Sequence, residues 1–377
     1  MKQGGCLVNK NNQVVDDKQA YMFNWGVSGH HPSPATADTN PHERLSPHGG
    51  LAQGLEVVAR RELGGSARDL IRLTGGASQE LWAFMAGPAA TPQDYVLRRA
   101  PEGDLAGMFN TVGLENEAAV IRAVANQGVP VAPVAYVLVP GDSLGSGFIA
   151  DRMGGEALGR RIVDSPAFAA VRPRLAADCG RILAGIHATP CDTLPQLPIR
   201  DPSQSIDQAE TQLRALDDAQ PIFEAALVWL RARCPSPTPP QLVHGDFRTG
   251  NFLLEPDGIS AVLDWEGCHL GDSMEDLGWL CMPIWRFGHL DRPVGGFGQR
   301  KDLFESYINA SGRSVDLDRV GFWEVYGILR WGLTCLAMAT AFNRGDRSVE
   351  RGAVGRRASE AGLELVHAMR REVRSHA

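Results

Sequence analysis

The stretch LVHGDFRTGNFLLEPDGISAVLDWE, residues 242–266, decides the fold class and the chemistry that the chain can support. Asp246 lies five residues before Asn251, and Asp264 follows a short apolar run on the far side of a predicted hairpin. Carboxylate and amide oxygens are the ligands that a hard cation such as Mg²⁺ prefers. Phosphoryl transfer needs such a cation and a further carboxylate that orients the attacking hydroxyl group. The spacing therefore indicates a magnesium-assisted phosphoryl-transfer site.

The same residues have a purely structural interpretation, in which the Asp and Asn side chains only stabilise the turns of a hairpin. A His-Gly-Asp triplet by itself would not decide between the two interpretations. The spaced Asn251, together with an apolar strand that leads to Asp264 13 residues later, favours the functional one.

The motif HGDFRTGN resembles the catalytic loop of the aminoglycoside phosphotransferase and choline kinase superfamily, which contains His-Gly-Asp, four residues and Asn. VLDWE resembles the segment that carries the metal-binding aspartate of that superfamily. By this resemblance Asp246 is the catalytic base, and Asn251 and Asp264 hold Mg²⁺. The predicted catalytic set also includes His244, which braces the loop, and Arg248, a candidate to hold an anionic group.

The resemblance extends upstream to the segments that would bind ATP. TGGASQELWAFM resembles the strand, glycine turn and strand that cover the phosphates. YVLRRAPEG resembles the strand that carries the phosphate-binding cation. GFIADRMGGEAL resembles the hinge that meets the adenine. Without the neighbouring motifs, the glycine turn would be interpreted as a plain hairpin turn. The residues predicted to bind ATP are Gly75, Gly76 and Ser78 in the turn, Arg98 on the strand, Glu117 on the following helix, and the backbone of Ala150, Asp151 and Arg152 at the hinge.

Two successive arginines occupy the position where many relatives have lysine. Strand alternation places Arg98 and Arg99 on opposite faces, and the resemblance makes Arg98 the inward cation that pairs with Glu117. Arg99 is then expected to be solvated. The alternative interpretation is that both arginines are solvated on an edge strand and that Glu117 is a surface residue.

The chain is predicted to have an α+β, bilobal protein-kinase-like fold with an antiparallel N-terminal sheet, one helix in that lobe and a larger, mainly helical C-terminal lobe. Residues 1–50 contain polar runs and four histidines, which favour a disordered extension over a metal-binding tail. Residues 51–152 form the predicted nucleotide-binding lobe, and 153–377 the catalytic and substrate-binding lobe. Helices are expected, among other places, over 169–187 and 204–233.

Composition narrows the class of protein further. The chain has 377 residues and a formal net charge of −7 at pH 7, which argues against broad nucleic-acid binding because that usually needs a basic face. The seven cysteines are odd in number and form no CxxC pair, which fits buried thiols in a reducing compartment. No apolar run approaches the ~20 residues that span a bilayer, and no signal peptide is evident. We expect a cytoplasmic protein without membrane or nucleic-acid partners, and the oligomeric state stays open.

The acceptor of the phosphoryl group is expected to be a hydroxyl group of a small molecule, and two sequence cues disagree about its charge. Arg248 and Arg330 are candidates to hold an anionic group. An acidic segment at 201–230 would instead suit a polycationic substrate, although a solvated helix face is the favoured interpretation. Its acidic residues are Asp201, Asp207, Glu210, Asp217, Asp218 and Glu224.

Three functions therefore remain: a metabolic or detoxifying kinase, an aminoglycoside or other antibiotic kinase, and an inactive nucleotide-binding scaffold. The intact Asp246, Asn251 and Asp264 argue against the scaffold. LTGGASQE, YVLRRAPEG and FWEVYGILRWG are similar to the kinase-like domain found fused to acyl-CoA dehydrogenases. Hydroxyacyl-CoA, antibiotic, choline-like and sugar acceptors all stay open.

Overall fold

The computed structural model describes residues 49–73, 79–100, 112–216, 220–345 and 349–375. Its N-terminal part is a five-stranded antiparallel sheet with a helix on each face. The elements are α1 (Gly49–Glu62), β1 (Arg68–Leu73), β2 (Glu80–Ala86), β3 (Gln93–Arg99), α2 (Leu114–Ala125), β4 (Val134–Val137) and β5 (Gly147–Asp151). The strand order is β1-β2-β3-β5-β4.

The central strand β3 is covered on both faces, which explains its composition. On one face Leu97 packs with Leu55 of α1, Trp82 and Ile149 in a small apolar core. On the other face Val96 lies beside Ala150 of β5, and α2 packs over β4 and β5. A strand buried on both faces must neutralise any charge that it carries. The edge-strand alternative for the two arginines is therefore wrong, because β3 pairs with a strand on either side.

The C-terminal part is mainly helical and carries two small two-stranded antiparallel sheets. Its helices are α3 (Gly159–Asp164), α4 (Leu175–His187), α5 (Pro202–Arg214), α6 (Pro221–Ala232), α7 (Met274–Leu280), α8 (Arg300–Ser311), α9 (Leu317–Asn343), α10 (Val349–Gly355) and α11 (Ala358–Ser375). Its strands are β6 (Gln241–Val243), β7 (Phe252–Glu255), β8 (Gly258–Val262) and β9 (His269–Gly271). β6 pairs with β9, and β7 with β8. The predicted α+β class with a sheet-rich first part and a helical second part is confirmed.

Several predicted element boundaries were wrong, and proline accounts for most of the differences. The helix expected over 169–187 begins only at Leu175, after a short turn that contains Pro173. The helix expected over 204–233 is two helices, because Pro221 starts a new one. Proline favours the first turn of a helix and is disfavoured inside one. The short elements α3 and β9 were not predicted.

Helix α9 is long and apolar enough to cross a membrane by length and composition alone. The expectation that no run approaches this length was wrong, because the apolar segment continues on both sides of Arg330. However, 56% of its most apolar window is buried inside the molecule, where it packs against α7, α10 and α11. Because α9 is largely buried, we interpret its apolar composition as that of a core helix.

Candidate active site

The carboxylate of Asp246 is held by three N–H donors from three directions. Its Oδ1 accepts hydrogen bonds from Nε1 of Trp279 at 2.8 Å and from Nε of Arg248 at 3.1 Å. Its Oδ2 accepts from Nδ2 of Asn251 at 2.6 Å. The side chain nevertheless keeps 20% of its surface exposed. The group is thus fixed in orientation and still reachable from solvent, as a general base requires.

One face of helix α7 anchors the loop that carries this carboxylate. Oδ2 and Oδ1 of Asp276 accept from the backbone N–H groups of His244 at 2.8 Å and Gly245 at 2.9 Å, and Trp279 lies one turn further along α7. Residues at i and i+3 share a helix face. Two side chains of one short helix therefore position three consecutive loop residues.

Asp276 is fully buried, and its hydrogen bonds keep it charged there. Burial by itself would raise its pKa, but hydrogen bonds from His187 and the backbone of His244 lower the pKa below the ordinary value. Nε2 of His187 lies 3.0 Å from Oδ2 of Asp276. A buried carboxylate with several donors is stabilised by them. These contacts give Asp276 a structural role in holding the loop, and Trp279 was not predicted as a residue of the site.

The imidazole of His244 connects the loop to the segment before Asp264. Its Nδ1 accepts from the backbone N–H of Asp246 at 3.2 Å, so Nε2 carries the proton and donates to the carbonyl oxygen of Leu263 at 3.0 Å. The ring is completely buried. This geometry supports the proposed bracing role and leaves no ring nitrogen for acid–base chemistry.

Asn251 and Asp264 are brought together by the β7–β8 hairpin. Phe252 pairs with Val262, and the backbone N–H of Leu263 donates to the carbonyl oxygen of Asn251 at 2.8 Å. Asp264 adopts a left-handed backbone conformation with φ of 64°, which asparagine and aspartate tolerate better than most residues. Asn251 comes directly before β7, and Asp264 comes shortly after β8. Both residues therefore lie at the open end of the hairpin.

The side-chain oxygens of Asn251 and Asp264 are suitable ligands for Mg²⁺. The buried Oδ1 of Asn251 has no hydrogen-bond partner in the described part of the chain, and an orphaned buried acceptor is costly unless a ligand satisfies it. Among the described residues no cluster of three or more His, Cys, Asp and Glu side chains could hold a metal by itself. Mg²⁺ commonly needs only one or two protein carboxylates because phosphates and water complete its shell.

Arg98 lies inside the cleft among three carboxylates. Its Nη2 is 3.2 Å from Glu117, 3.2 Å from Asp264 and 3.6 Å from Glu266, and its Nε donates to the side chain of Gln79. The predicted ion pair with Glu117 is present. Burial by itself would lower the pKa of Arg98, but Glu117, Asp264 and Glu266 raise it. Glu266 and Gln79 were not predicted as members of this cluster.

Glu117 is buried against this guanidinium and is 1% exposed. Burial raises the pKa of its carboxyl group to about 7, although Arg98 acts in the opposite direction. Asp264 adds to the rise through like-charge repulsion. The surface interpretation of Glu117 is therefore wrong. Asp264 and Glu266 together outweigh the single guanidinium, so the cluster keeps a net negative charge that attracts a divalent cation even when Glu117 is protonated.

Arg99 faces the other side of the sheet, as strand alternation requires, but it is not solvated. It is 7% exposed, its Nε is 2.9 Å from Glu80, and its Nη1 donates to the carbonyl oxygen of Leu144 at 3.4 Å. The expectation of a solvated Arg99 was wrong because α1 and the segment around Leu144 cover that face.

The remaining predicted nucleotide contacts divide into two groups. Gly75, Gly76 and Ser78 lie outside the described residues. At the hinge, Ala150 pairs with Val96 and Val134 on its two sides. The N–H groups of Asp151 and Arg152 donate to the carbonyl oxygens of Pro133 and Asp94, each at 2.9 Å. Both N–H groups are already used in hydrogen bonds of the sheet. An adenine at the hinge would therefore contact the backbone carbonyl groups of Asp151 and Arg152.

Two arginines pair with acidic side chains of the segment before the catalytic loop. Arg214 pairs with Glu210 and Glu224, and Arg231 pairs with Asp207 and Glu210. Asp201 caps helix α5 by accepting from the backbone N–H of Gln204 at 2.8 Å, whereas Asp217 and Asp218 lie outside the described residues. Exposed ion pairs of this kind fit the solvated-face interpretation.

A family model described as "Phosphotransferase enzyme family" matches residues 69–308, which is more than half of the chain. The chain is 29% identical over 251 residues to acyl-CoA dehydrogenase family member 10 of Mus musculus, covering 61% of this chain and 22% of that protein. It is 26% identical over 323 residues to the probable acyl-CoA dehydrogenase IBR3 of Arabidopsis thaliana, covering 77% and 38%. The match thus spans well under half of either curated relative.

Solved structures share the fold at low sequence identity. A protein from Ralstonia eutropha JMP134, described as a candidate aminoglycoside phosphotransferase, superposes with a TM-score of 0.67 at 20% identity, covering 85% of this chain and 98% of that one. A thermostable mutant of the aminoglycoside phosphotransferase APH(4)-Ia, in a ternary complex with ADP and hygromycin B, gives 0.57 at 18%, covering 84% and 98%. These neighbours confirm the predicted kinase-like fold.

Proposed function

Because the chain belongs to the phosphotransferase enzyme family, we propose that it transfers the γ-phosphoryl group of ATP to a hydroxyl group of a small molecule. One observation carries the proposal: the oriented carboxylate of Asp246 lies in hydrogen-bond contact with Asn251, whose buried side-chain Oδ1 has no hydrogen-bond partner among the described residues. In this proposal the base lies on the loop, and the two metal ligands lie at the ends of the hairpin that follows it. A structural neighbour crystallised with ADP supports ATP as the donor.

Each residue of the site has a distinct role in this mechanism. Asp246 orients the acceptor hydroxyl group and takes its proton as the bond to phosphorus forms. Asn251 and Asp264 would hold Mg²⁺, which neutralises negative charge on the phosphates when bound. Arg98 contacts the phosphates and is positioned by Glu117. His244, Asp276 and Trp279 hold the loop so that these groups do not have to reorganise during the reaction.

Antibiotic phosphorylation is the second candidate function. A structural neighbour binds hygromycin B, which favours it. Three of the six carboxylates at 201–230 are engaged in ion pairs with Arg214 and Arg231, which leaves fewer of them to attract a polycationic acceptor. An inactive scaffold would not need the fixed orientation of Asp246. The curated relatives carry dehydrogenase names, but the match covers only a minority of their length, so no dehydrogenase activity is proposed for this chain.

The proposed activity is tested by ADP release from MgATP in the presence of separate acceptors. The panel contains hydroxyacyl-CoAs, sugars, choline, macrolides and aminoglycosides. We expect at least one hydroxyl acceptor to stimulate ADP release, with the phosphate recovered on that acceptor, and no stimulation after Mg²⁺ is chelated. A protein that binds MgATP but phosphorylates no acceptor in a broader screen would support the scaffold instead.

Replacement of Arg98 should impair catalysis, whereas replacement of Arg99 should impair stability. Arg98→Ala removes a charge-assisted phosphate contact, so we expect a rise in the KM for ATP together with lower turnover, by about tenfold or more in kcat/KM. Arg98→Lys should recover part of this loss, because a point charge still reaches phosphate but loses the bidentate fork. Steady-state kinetics measure both effects.

Arg99→Ala is the matched control from the next position of the same strand. It leaves the carboxylate of Glu80 without its 2.9 Å partner, which should cost about 1–3 kcal/mol of unfolding free energy. The KM for ATP should change little. A larger kinetic defect in Arg99→Ala than in Arg98→Ala would reverse the assignment of the phosphate-binding residue.

A further inference from the structure

Gln79 is a partly buried residue directly before strand β2 that the proposed mechanism does not use. Its Oε1 accepts a hydrogen bond from Nε of Arg98. Its Nε2 donates to Oε2 of Glu266 at 3.3 Å, across 187 positions of the chain. One side-chain amide therefore connects the proposed phosphate-binding cation on β3 with the segment that carries Asp264.

The chemistry of the two partners explains why an amide stands between them. The guanidinium of Arg98 can only donate hydrogen bonds, whereas the ionised carboxylate of Glu266 can only accept them. A bridge between them needs an acceptor on one side and a donor on the other. The amide of Gln79 has both on one small planar group. A carboxylate at position 79 would instead place like charges together, and an alkyl side chain would bind neither partner.

The Glu266 end of the bridge is fixed by its own surroundings. Glu266 lies in the short 3₁₀ turn Trp265–Gly267, two positions after Asp264. Its carbonyl oxygen accepts from the backbone N–H of Val112 at 3.1 Å, and its side chain is only 16% exposed. Gln79 is therefore held by a carboxylate whose position the backbone determines.

The bridge gives the guanidinium of Arg98 a second fixed point. Glu117 and Asp264 both lie 3.2 Å from the same atom, Nη2, and contacts at one atom leave the planar group able to turn about it. Gln79 holds the opposite end at Nε. Held at both ends, the planar fork keeps one orientation. A cation that is oriented in advance loses less conformational freedom when a phosphate binds.

We propose that Gln79 is a positioning residue for nucleotide binding, which orients Arg98 toward the phosphates of ATP and uses Glu266 as its anchor. This rests on the proposed function, in which Arg98 contacts those phosphates. Gln79 acts through Arg98 and needs no contact with the nucleotide itself.

A double-mutant cycle tests whether Gln79 acts through Arg98. The magnesium complex of AMP-PNP, a non-hydrolysable ATP analogue, is titrated calorimetrically into the full chain as wild type, Gln79→Ala, Arg98→Ala and the double variant. We expect Gln79→Ala to weaken binding about five- to tenfold and Arg98→Ala to weaken it more. The double variant should bind no more weakly than Arg98→Ala, because Gln79 then has nothing left to orient.

Gln93→Ala is the matched control for Gln79→Ala. It removes an exposed glutamine of β3 whose Oε1 accepts only from the hydroxyl group of Tyr95, at 3.2 Å, among the printed contacts of the described chain. We expect it to bind the magnesium complex of AMP-PNP as tightly as the wild type does.

An exchange of the two bridge residues tests the hydrogen-bond pattern itself. Gln79→Glu still accepts from Arg98 but sets a carboxylate against Glu266, so it should weaken binding at least as much as Gln79→Ala. Adding Glu266→Gln reverses donor and acceptor in the bridge and restores the net charge. This exchange variant should regain part of the affinity that Gln79→Glu loses. If Gln79→Ala does not fold, these two variants decide the question by themselves.

Three results would overturn the positioning role: wild-type affinity in Gln79→Ala, additive losses in the double variant, or no regain in the exchange variant. A loss in Arg98→Ala without a loss in Gln79→Ala would remove only the positioning role and leave the proposed function intact. Wild-type affinity in Arg98→Ala would instead contradict the phosphate contact of the proposed function. Because no phosphoryl transfer is measured, these outcomes do not depend on the identity of the acceptor.

Discussion

Replacing Asp246 by asparagine is expected to lower turnover by about 10²–10⁴-fold, the usual contribution of a general base. The amide keeps the size of the side chain but accepts no proton at neutral pH. It also carries two donors, whereas all three present partners, Trp279, Arg248 and Asn251, are themselves donors. The new amide group must therefore meet at least one of them donor to donor.

The partner most easily adjusted is Asn251, whose amide can rotate. Rotation would turn its Oδ1 toward the replaced residue and away from the proposed metal position. We therefore expect MgATP binding to be retained but somewhat weakened, and the loss of turnover to be far larger than the loss of affinity. Turnover is measured with a verified acceptor, and MgATP affinity by calorimetry on the same preparation.

Trp279→Phe is the matched control for Asp246→Asn. It removes one of the two donors on Oδ1 of Asp246 without changing the base itself. We expect a smaller decrease in turnover and unchanged MgATP affinity, because the indole touches neither Asn251 nor Asp264 in the hydrogen-bond network. Near wild-type turnover in Asp246→Asn would remove Asp246 from the role of base.

Loss of the Asp264 carboxylate should weaken magnesium-dependent ATP binding by about 10–100-fold, because a charged metal ligand is removed. The backbone conformation determines which substitution tests this cleanly. Asp264 has a positive φ of 64°, which asparagine tolerates and alanine does not. Asp264→Asn therefore isolates the charge, whereas Asp264→Ala adds backbone strain and should also lower the melting temperature.

The sign of the effect without magnesium separates a metal ligand from a general binding residue. With the metal chelated, Asp264 contributes only negative charge next to negative phosphates, so Asp264→Asn should bind ATP as well as or slightly better than the wild type. With Mg²⁺ present the order should reverse. Equal affinities of wild type and Asp264→Asn in the presence of Mg²⁺ would exclude Asp264 from the metal site.

Patterns confined to a short piece of chain were predictable. The hairpin that joins Asn251 to Asp264 follows from two apolar runs separated by a turn, and the opposite facing of Arg98 and Arg99 follows from the two-residue period of a strand. In both cases local geometry leaves few alternatives, so residue spacing is sufficient. The pairing of Arg98 with Glu117 was instead implied by the resemblance to the phosphotransferase superfamily.

Contacts between distant segments were not predictable in this way. Arg99 was expected in solvent, because its burial depends on the packing of α1 and Leu144 over β3. Trp279 is 33 residues from Asp246, and its apolar character matched that of any core residue. The pairing of Arg231 with Asp207 and Glu210 was not predicted, because Arg231 lies on α6, which packs against α5 only after folding.

The sequence by itself therefore determined the family, the α+β class and the identity of the base and of the two metal-ligand residues that we propose. These depend on motifs whose residues are close along the chain. Only the tertiary structure decided which groups orient that base and which charges surround the acceptor site. Arg330 is 85 positions from Gly245 and donates to its carbonyl oxygen because α9 packs against α7, the helix that anchors the catalytic loop. Electrostatic energy depends on distance in space and on burial, and neither quantity can be obtained from spacing along the chain.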